Sequence, residues 1–204
     1  MKLYGCPNTR SMRAAWALEE AGAQYDYVLV DLFKGAGRAP EFRAINPAAK
    51  LPVLVDGDPT LTESGAIVDY IGGKYPASGM LPADAAARAD CRRWMYFAVT
   101  ELEQPLWTIA KHRFALPRER RVPAMEDTAR WEFSIAAKLL EDQLDDRAYV
   151  CGAQFTAADI LLAHTLAWAR SAKVPVESPQ LLAYMERTLT RPALARARER
   201  ETNR

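Results

Sequence analysis

The pattern of apolar residues changes once along this chain, near residue 80, and the change limits the folds that the chain can adopt. Before that point, β-rich runs alternate with helical patterns, whereas every periodic segment after it is helical. A chain of 204 residues suffices for one large domain or two small ones. The sequence therefore predicts an α/β domain at residues 1–76, a linker at residues 77–83 and an all-helical domain at residues 84–204.

The α/β part begins with a strand, a helix and a second strand. Residues 2–4 have the pattern of a short strand, residues 11–21 that of a helix that Gly22 ends, and residues 25–32 that of a β-rich strand. A strand, a helix and a strand in this order form a β-α-β unit with parallel strands.

A second group of elements follows in the order strand, strand, helix. Pro52 precedes the apolar run at residues 53–55, and because proline is tolerated at the first position of a strand but not in its middle, a strand begins there. Another short strand begins at Leu61, and a helix begins at Ser64.

The second part of the chain shows helical spacing throughout. One long pattern, with apolar residues three or four apart, covers residues 83–116, and three more cover residues 125–144, 156–170 and 179–189. Thr156 and Asp159 stand three apart ahead of the third pattern, which is the spacing of a capping box. We expect these two side chains to stabilise the helix and to have no chemical role.

Composition excludes several kinds of partner. The chain has 27 Lys plus Arg against 26 Asp plus Glu, which gives no electrostatic reason to expect nucleic acid or a membrane surface as a partner. No apolar run approaches the length of a signal peptide or a membrane span. The three cysteines are widely separated and argue against a disulfide framework, so we expect a cytoplasmic protein. The two histidines form no metal-ligand motif with the cysteines, and we expect no metal.

Four motifs occur in order along nearly the whole chain: "KLYGCPNTRSMRAAWALEEAG", "NPAAKLPVL", "LTESGAIVDYI" and "FTAADILLAHTLAW". Together they resemble the cytosolic glutathione S-transferase superfamily, in its bacterial-type members. The resemblance implies a thioredoxin-like N-terminal domain that binds glutathione as co-substrate, followed by an all-helical domain that lines a pocket for an electrophile. It also implies a homodimer.

The resemblance assigns a glutathione site to Lys50, Leu51, Pro52, Glu63 and Ser64. A cis peptide bond is far less costly before Pro52 than before any other residue type, and it would turn the Leu51 backbone outward to pair with the cysteinyl residue of glutathione. The Lys50 ammonium suits the glycyl carboxylate. The start of a helix at Ser64 suits the γ-glutamyl carboxylate, and the Glu63 carboxylate suits the ammonium of the same residue.

Three residues are candidates for the side chain that acts on the glutathione thiol. Counting back from Arg13, the catalytic serine of zeta-like and phi-like members falls near Asn8 and Thr9, whereas the cysteine of omega-like members and the serine of tau-like members fall on Cys6. The chain has no serine at position 6 or 8, and the class stays open.

The two possibilities correspond to different chemistry. A hydroxyl or amide donor leaves the glutathione thiolate to attack a carbon electrophile. A reactive Cys6 would form a mixed disulfide with glutathione instead, as in a thioltransferase or reductase. Lowering a thiol pKa by about two units requires about 2.7 kcal/mol, and one hydrogen bond to the thiolate supplies roughly 1.5–3 kcal/mol.

We expect a glutathione S-transferase that uses Thr9 or Asn8 to stabilise the glutathione thiolate for attack on a small electrophile. The alternatives are a thioltransferase that depends on Cys6, a glutathione-dependent isomerase and a non-catalytic binding module of the same fold. Retention of the residues that suit glutathione argues against the binding module.

Overall fold

The computed structural model describes residues 1–202. Contacts between residues divide the chain into two compact units. The first unit contains Met1–Ala83 and the residues from Thr190 onward, and the second contains Asp84–Leu189. The structure thus groups the C-terminal residues with the first unit, although the sequence assigned them to the helical domain.

Within the described residues, the first unit has a four-stranded mixed sheet with the strand order β2-β1-β3-β4. Its strands are β1 (Lys2–Gly5), β2 (Asp26–Leu29), β3 (Val53–Val55) and β4 (Thr60–Thr62). Strand β1 pairs in parallel with β2 and antiparallel with β3. Its helices are α1 (Ser11–Glu20), α2 (Pro40–Ile45), α3 (Ser64–Lys74) and α9 (Pro192–Thr202).

The predicted order β-α-β, then β-β-α, is confirmed, with two differences of detail. Helix α2 lies between β2 and β3, where the sequence analysis predicted no element. Strand β2 ends at Leu29, earlier than predicted, because Asp31 accepts the backbone N–H groups of Phe33 and Lys34 and so begins a short 3₁₀ turn. Such local side-chain bonds offer the backbone an alternative to the ladder of a sheet.

Apolar burial holds the sheet and helix α1 together. Leu3 and Leu54 of the sheet and Trp16 and Leu18 of α1 are fully buried. Complete burial of a side chain of this kind stabilises the fold by about 1.5–3 kcal/mol. The α1 helix is therefore fixed on the sheet, and the residues that precede it have a defined position.

Helix α9 packs against α1 through ion pairs. The Glu20 carboxylate accepts two hydrogen bonds from the Arg191 guanidinium, at 2.6 and 2.8 Å. The Glu19 carboxylate, which is buried, accepts hydrogen bonds from Arg196 at 3.0 Å and from Arg200 at 2.8 Å. Because a buried carboxylate is costly without partners, the hydrogen bonds from these arginines explain how Glu19 can be buried.

The second unit is helical in the described residues. Its helices are α4 (Ala85–Phe97), α5 (Glu103–Ala110), α6 (Met125–Leu144), α7 (Ala157–Ser171) and α8 (Pro179–Leu189). The predicted helices at residues 125–144 and 179–189 agree with the structure, and α7 lies within one residue of its predicted bounds. These helices and the sheet confirm the fold class, a thioredoxin-like α/β part followed by a helical part.

The long helix predicted at residues 83–116 is interrupted in the structure. Wider π-helical turns at Ala98–Leu102 and Lys111–Ala115 follow α4 and α5. Pro105 explains the first turn, because proline has no N–H group and its ring collides with the carbonyl four residues earlier. An apolar spacing of three or four residues does not distinguish a π turn from an α-helical one.

The capping box at the start of α7 is confirmed. The Thr156 N–H group donates to Asp159 Oδ2 at 2.8 Å, and the Thr156 side chain accepts from the Asp159 N–H group. Asp159 Oδ1 also accepts the Val150 N–H group at 3.0 Å and the Tyr184 hydroxyl at 2.8 Å. The carboxylate thus joins the preceding turn and α8 to the start of α7.

Among residues 1–202, no helix is long and apolar enough to cross a membrane. The same residues include no group of three or more side chains placed to hold a metal ion.

Candidate functional site

The predicted site residues meet at one end of the sheet in the first unit. The strand registers pair Tyr4 with Val53, and Val53 with Thr62. The segments that continue beyond these pairs therefore leave the sheet at the same end. Helix α1 begins after the segment that follows β1, and α3 begins directly after β4. The N-termini of both helices lie at this end.

The turn between β1 and α1 is held by two hydroxyl groups. Thr9 Oγ1 donates to the Cys6 carbonyl at 2.7 Å and lies 2.8 Å from Ser11 Oγ. The Cys6 N–H group donates to Ser11 Oγ at 3.2 Å. Since Thr9 has one hydroxyl proton, which the Cys6 carbonyl accepts, Ser11 is the donor in the hydroxyl pair. A thiolate that binds to Thr9 must therefore compete with the Cys6 carbonyl.

The other two candidates for the thiol differ in exposure. Cys6 is 2% exposed, which fits a small apolar side chain at the end of a strand. Asn8 is exposed and has a left-handed backbone with φ of 60°. Asparagine tolerates this conformation better than most residues. Its side chain therefore lies at the surface of the turn, where a ligand has access to it.

The start of α3 combines a hydroxyl group with a buried cation. Ser64 is the first residue of the helix and is 6% exposed. Its Oγ atom accepts a hydrogen bond at 3.3 Å from Arg13, a fully buried residue of α1. The first N–H groups of a helix have no partner within the helix, and the helix dipole is positive there. This region favours an anion.

Glu63 precedes α3 with an unusual backbone. Its φ of 66° and ψ of 117° are rare for a residue with a side chain. Residues with such a backbone occur often at binding sites, where the surrounding structure enforces them. The Glu63 side chain is exposed, so its carboxylate is accessible beside the start of α3.

The segment before β3 is fixed by Asn46, a buried residue that the sequence analysis missed. Asn46 Nδ2 donates to the Lys50 carbonyl at 2.8 Å, and Oδ1 accepts the Ala48 N–H group at 3.1 Å. The Lys50 side chain stays exposed. The peptide bond between Leu51 and Pro52 is cis, as the sequence predicted. The Asn-Pro pair in "NPAAKLP" was the available signal, because asparagine bonds to the backbone two residues on in turns.

Arg13 is the second residue with a role that the sequence did not reveal. The sequence analysis used it only as a reference point for counting. Its contact with Ser64 joins two residues 51 positions apart in the chain, and such a contact has no local signal.

The arrangement suits a small molecule with several charged groups. It offers the Lys50 ammonium, the Glu63 carboxylate and the positive end of α3. The turn before α1 adds polar atoms from Asn8 and Thr9. A ligand with two anionic groups, one cationic group and a polarisable centre matches this set of partners.

Family models match both parts of the chain. The model described as glutathione S-transferase, N-terminal domain, matches residues 1–73. The model described as glutathione S-transferase, C-terminal domain, matches residues 136–187. The first match contains all the residues of the predicted site.

Curated relatives and solved structures agree with these models. Glutathione S-transferase 3 of Zea mays is 32% identical, covering 95% of this chain and 90% of the relative. GstA of Escherichia coli O157:H7 is 30% identical, covering 94% of each chain. A glutathione transferase homologue from Sulfitobacter, solved with bound glutathione, has a TM-score of 0.83 and 28% identity, covering 97% of this chain and 96% of that chain.

Proposed function

The chain belongs to the glutathione S-transferase family, and from this premise we propose that it stabilises the thiolate of bound glutathione for attack on a small electrophile. Glutathione is the co-substrate. The observation that carries the proposal is the convergence of the starts of α1 and α3 and the segment before β3 at one end of the sheet.

Glutathione has two carboxylates, one ammonium group and one thiol, which matches the charges at this end of the sheet. We assign its glycyl carboxylate to Lys50 and its γ-glutamyl carboxylate to Ser64 and the start of α3. Its ammonium group pairs with Glu63, and its cysteinyl backbone pairs with Leu51 beside the cis bond to Pro52. The accessible side chains of Lys50 and Glu63 support this assignment.

The thiol of glutathione placed in this way lies near the turn before α1. Thr9 or Asn8 donates the hydrogen bond that stabilises the thiolate, at roughly 1.5–3 kcal/mol. The positive end of α1 adds roughly 0.3–1 kcal/mol. The burial of Cys6 supports conjugation over thiol transfer, because a reactive cysteine needs access to the disulfide that it attacks.

We also propose that the protein is a cytoplasmic homodimer. The three cysteines, all within the described residues, are thiols, which fits a reducing compartment. Helix α6 leaves an apolar surface exposed at Trp131, Ile135 and Leu139, whose exposed fractions are 64%, 44% and 53%. Exposed apolar surface of this kind is typical of interaction sites.

Calorimetric titration with glutathione tests the site. We expect Lys50→Ala and Ser64→Ala each to weaken glutathione binding about tenfold, which corresponds to about 1.4 kcal/mol. Lys2→Ala is the matched control, because Lys2 is exposed at the opposite end of β1 and should bind glutathione like the unmodified protein. The absence of saturable binding in the unmodified protein at millimolar glutathione would overturn the proposal.

A further inference from the structure

The segment between α5 and α6 concentrates positive charge. Residues 111–122, which we call the basic segment, contain five Lys and Arg side chains and one acidic side chain: Lys111, Arg113, Arg118, Arg120, Arg121 and Glu119. The whole chain has a formal net charge of only +1, so the totals, which gave no electrostatic reason to expect an anionic partner, do not show this local charge. Clusters of this size are typical of segments that bind anionic surfaces.

Hydrogen bonds hold the basic segment in place. At 3.0, 2.9 and 2.8 Å, the Arg121 guanidinium donates to three backbone carbonyls, those of Arg113, Phe114 and Leu116. A helix leaves its last carbonyls without partners, and Arg121 supplies donors to them at the end of the wider turn Lys111–Ala115. The Val122 N–H group donates to His112 Nδ1 at 3.1 Å. The two ends of the segment therefore lie side by side.

Two arginines in the middle of the basic segment have their charges available. Arg118 and Arg120 lie in a short 3₁₀ turn and are exposed. Neither side chain forms a hydrogen bond or an ion pair with another of residues 1–202. Glu119, which lies between them, is also exposed and offsets part of their charge. The guanidinium of Arg113, by contrast, is paired with Glu126.

Exposed apolar side chains accompany these charges. Phe114 is 69% exposed, and Val122 and Met125 are exposed as well. The Phe114 carbonyl accepts from Arg121, the residue before Val122, and the Met125 N–H group donates to the Val122 carbonyl at 3.1 Å. The three apolar residues therefore lie close to one another beside the arginines. Basic side chains next to exposed apolar ones are typical of surfaces that bind at the boundary of a lipid bilayer.

A lipid surface suits this combination better than nucleic acid does. Single-stranded nucleic acid stacks its bases on aromatic side chains, and Phe114 is the only Phe, Tyr or Trp of the basic segment. The phosphates and sugars of a duplex offer no apolar partner to Val122 or Met125. A bilayer offers anionic headgroups and an apolar layer directly beneath them. Its cytoplasmic leaflet is the negatively charged one, which agrees with the cytoplasmic location proposed above.

We propose that the basic segment binds the anionic headgroups of a lipid bilayer. Arg118 and Arg120 contact the phosphate and carboxylate groups of the lipids, while Phe114 and Val122 enter the boundary between the headgroups and the acyl chains. Binding is reversible, because few apolar side chains take part. It does not depend on the proposed conjugation chemistry, whose residues all belong to the first unit, whereas the basic segment belongs to the second.

Sedimentation of the protein with lipid vesicles tests the proposal. One set of vesicles contains phosphatidylcholine alone, and the other contains phosphatidylcholine and phosphatidylserine at about two to one. We expect the protein to sediment with the anionic vesicles and not with the neutral ones. The bound fraction should fall as the salt concentration rises, because salt screens exposed charges. Single-stranded and duplex DNA are titrated in the same buffer, and we expect neither to bind.

A charge reversal measures the contribution of the arginines. Each cation near an anionic membrane strengthens binding about fivefold, so Arg118→Glu, which changes the charge by two units, should weaken vesicle binding roughly 25-fold. Arg198→Glu is the matched control, because Arg198 is exposed on α9 outside the basic segment. We expect this variant to bind the anionic vesicles like the unmodified protein.

A second pair of variants measures the apolar contribution. We expect Phe114→Ser to weaken vesicle binding about tenfold, because the ring no longer leaves water. Phe33→Ser, at an exposed phenylalanine of the first unit, should have no effect.

Three results would overturn the proposal. The first is that the unmodified protein fails to sediment with the anionic vesicles, and DNA binding in its place would make the basic segment a nucleic-acid surface. The second is that Arg198→Glu weakens vesicle binding as much as Arg118→Glu does. The third is that Phe114→Ser binds the vesicles like the unmodified protein.

Discussion

The Thr9 hydroxyl group has two possible acceptors for its proton in the turn before α1. It donates to the Cys6 carbonyl and accepts from Ser11, and it is also a candidate donor to the glutathione thiolate. A single proton cannot serve both acceptors at full strength. Glutathione binding therefore either redirects this proton from the Cys6 carbonyl or relies on Asn8, and substitution at Thr9 distinguishes the two.

We expect Thr9→Ala to lower kcat/KM for conjugation of an aryl halide about tenfold, because about 1.4 kcal/mol of thiolate stabilisation is lost. Thr9→Ser keeps the hydroxyl group and is the matched control. The pKa of the bound glutathione thiol, read from the ultraviolet absorbance of its thiolate against pH, should rise in Thr9→Ala and not in Thr9→Ser.

The thiol pKa and the conjugation activity of Asn8→Ala and Cys6→Ser test the other two candidates for the residue that interacts with the thiol. A raised thiol pKa in Asn8→Ala, with Thr9→Ala unchanged, would move the donor to Asn8. A larger loss of activity in Cys6→Ser than in Thr9→Ala, together with a glutathione adduct on Cys6, would contradict the proposed conjugation chemistry.

The sequence showed most of the residues at the proposed site but few of the contacts that position them. Lys50 was visible in the motif "NPAAKLPVL", and Glu63 and Ser64 in "LTESGAIVDYI", because each motif is contiguous and the relation of Ser64 to a helix start is local. The contact between Arg13 and Ser64 depends on how separate elements pack. Spacing along a chain carries no information on such pairs.

Among the elements of the second unit, a charged cluster joins three helix ends. Glu126, in the first turn of α6, accepts hydrogen bonds from both Arg113 and Arg130. Arg113 also donates to the Ala172 carbonyl at 3.0 Å, and Arg130 donates to the Lys173 carbonyl at 3.0 Å. The hydrogen bond from Arg113, with that from Arg130, lowers the pKa of Glu126 to about 2.

This cluster predicts a loss of stability in acid. A carboxyl group whose pKa is lower in the folded state stabilises the fold above its unfolded pKa and loses that contribution as the pH falls through its folded pKa. For Glu126 the window runs from its ordinary value of 4.5 down to about 2. We expect Glu126→Gln to lower the free energy of unfolding by about 1 kcal/mol at pH 7, and by less at the acid end of this window.

Urea unfolding of both proteins at neutral pH and within that window measures the difference. Asp142→Asn is the control, because Asp142 forms an exposed ion pair with Lys138 on the same helix. An equal effect of Glu126→Gln at both pH values would show that the ion pairs are not its source of stability.

Helix positions were largely visible in the sequence, whereas their interruptions were not. The predicted bounds of α6 and α8 agree with the structure because each has a clear apolar spacing and a proline or turn nearby. The π turn before α5 depends on Pro105, and α9 has few apolar residues to reveal it. Arg196 and Arg200 of this helix are held by Glu19, which lies far away in sequence.

At the scale of the whole molecule, the exposed apolar side chains of α6 bear on assembly. Trp131, Ile135 and Leu139 are four residues apart, so they form one stripe along the helix. Burial of this stripe against a second copy of the chain would remove apolar surface from water, at about 25 cal/mol for each Å². The proposed homodimer gives these side chains a role.

We expect light scattering to give the mass of a dimer for the unmodified protein and of a monomer for Trp131→Glu, because the new charge would be buried in the interface. Gln154→Glu introduces the same charge at an exposed position outside α6 and should leave the dimer intact. A monomeric unmodified protein, or a dimeric Trp131→Glu protein, would show that the stripe does not form a dimer interface.

The ion pairs between α1 and α9 have a consequence for protein synthesis. A ribosome makes Glu19 and Glu20 early, and the arginines that hold them only after all of Asp84–Leu189 has been added. At roughly 5–20 residues per second, that interval lasts on the order of 10 seconds. The unit that is begun first is therefore completed last, and Glu19 and Glu20 of α1 lack their arginine partners until the residues of the helical unit have been added.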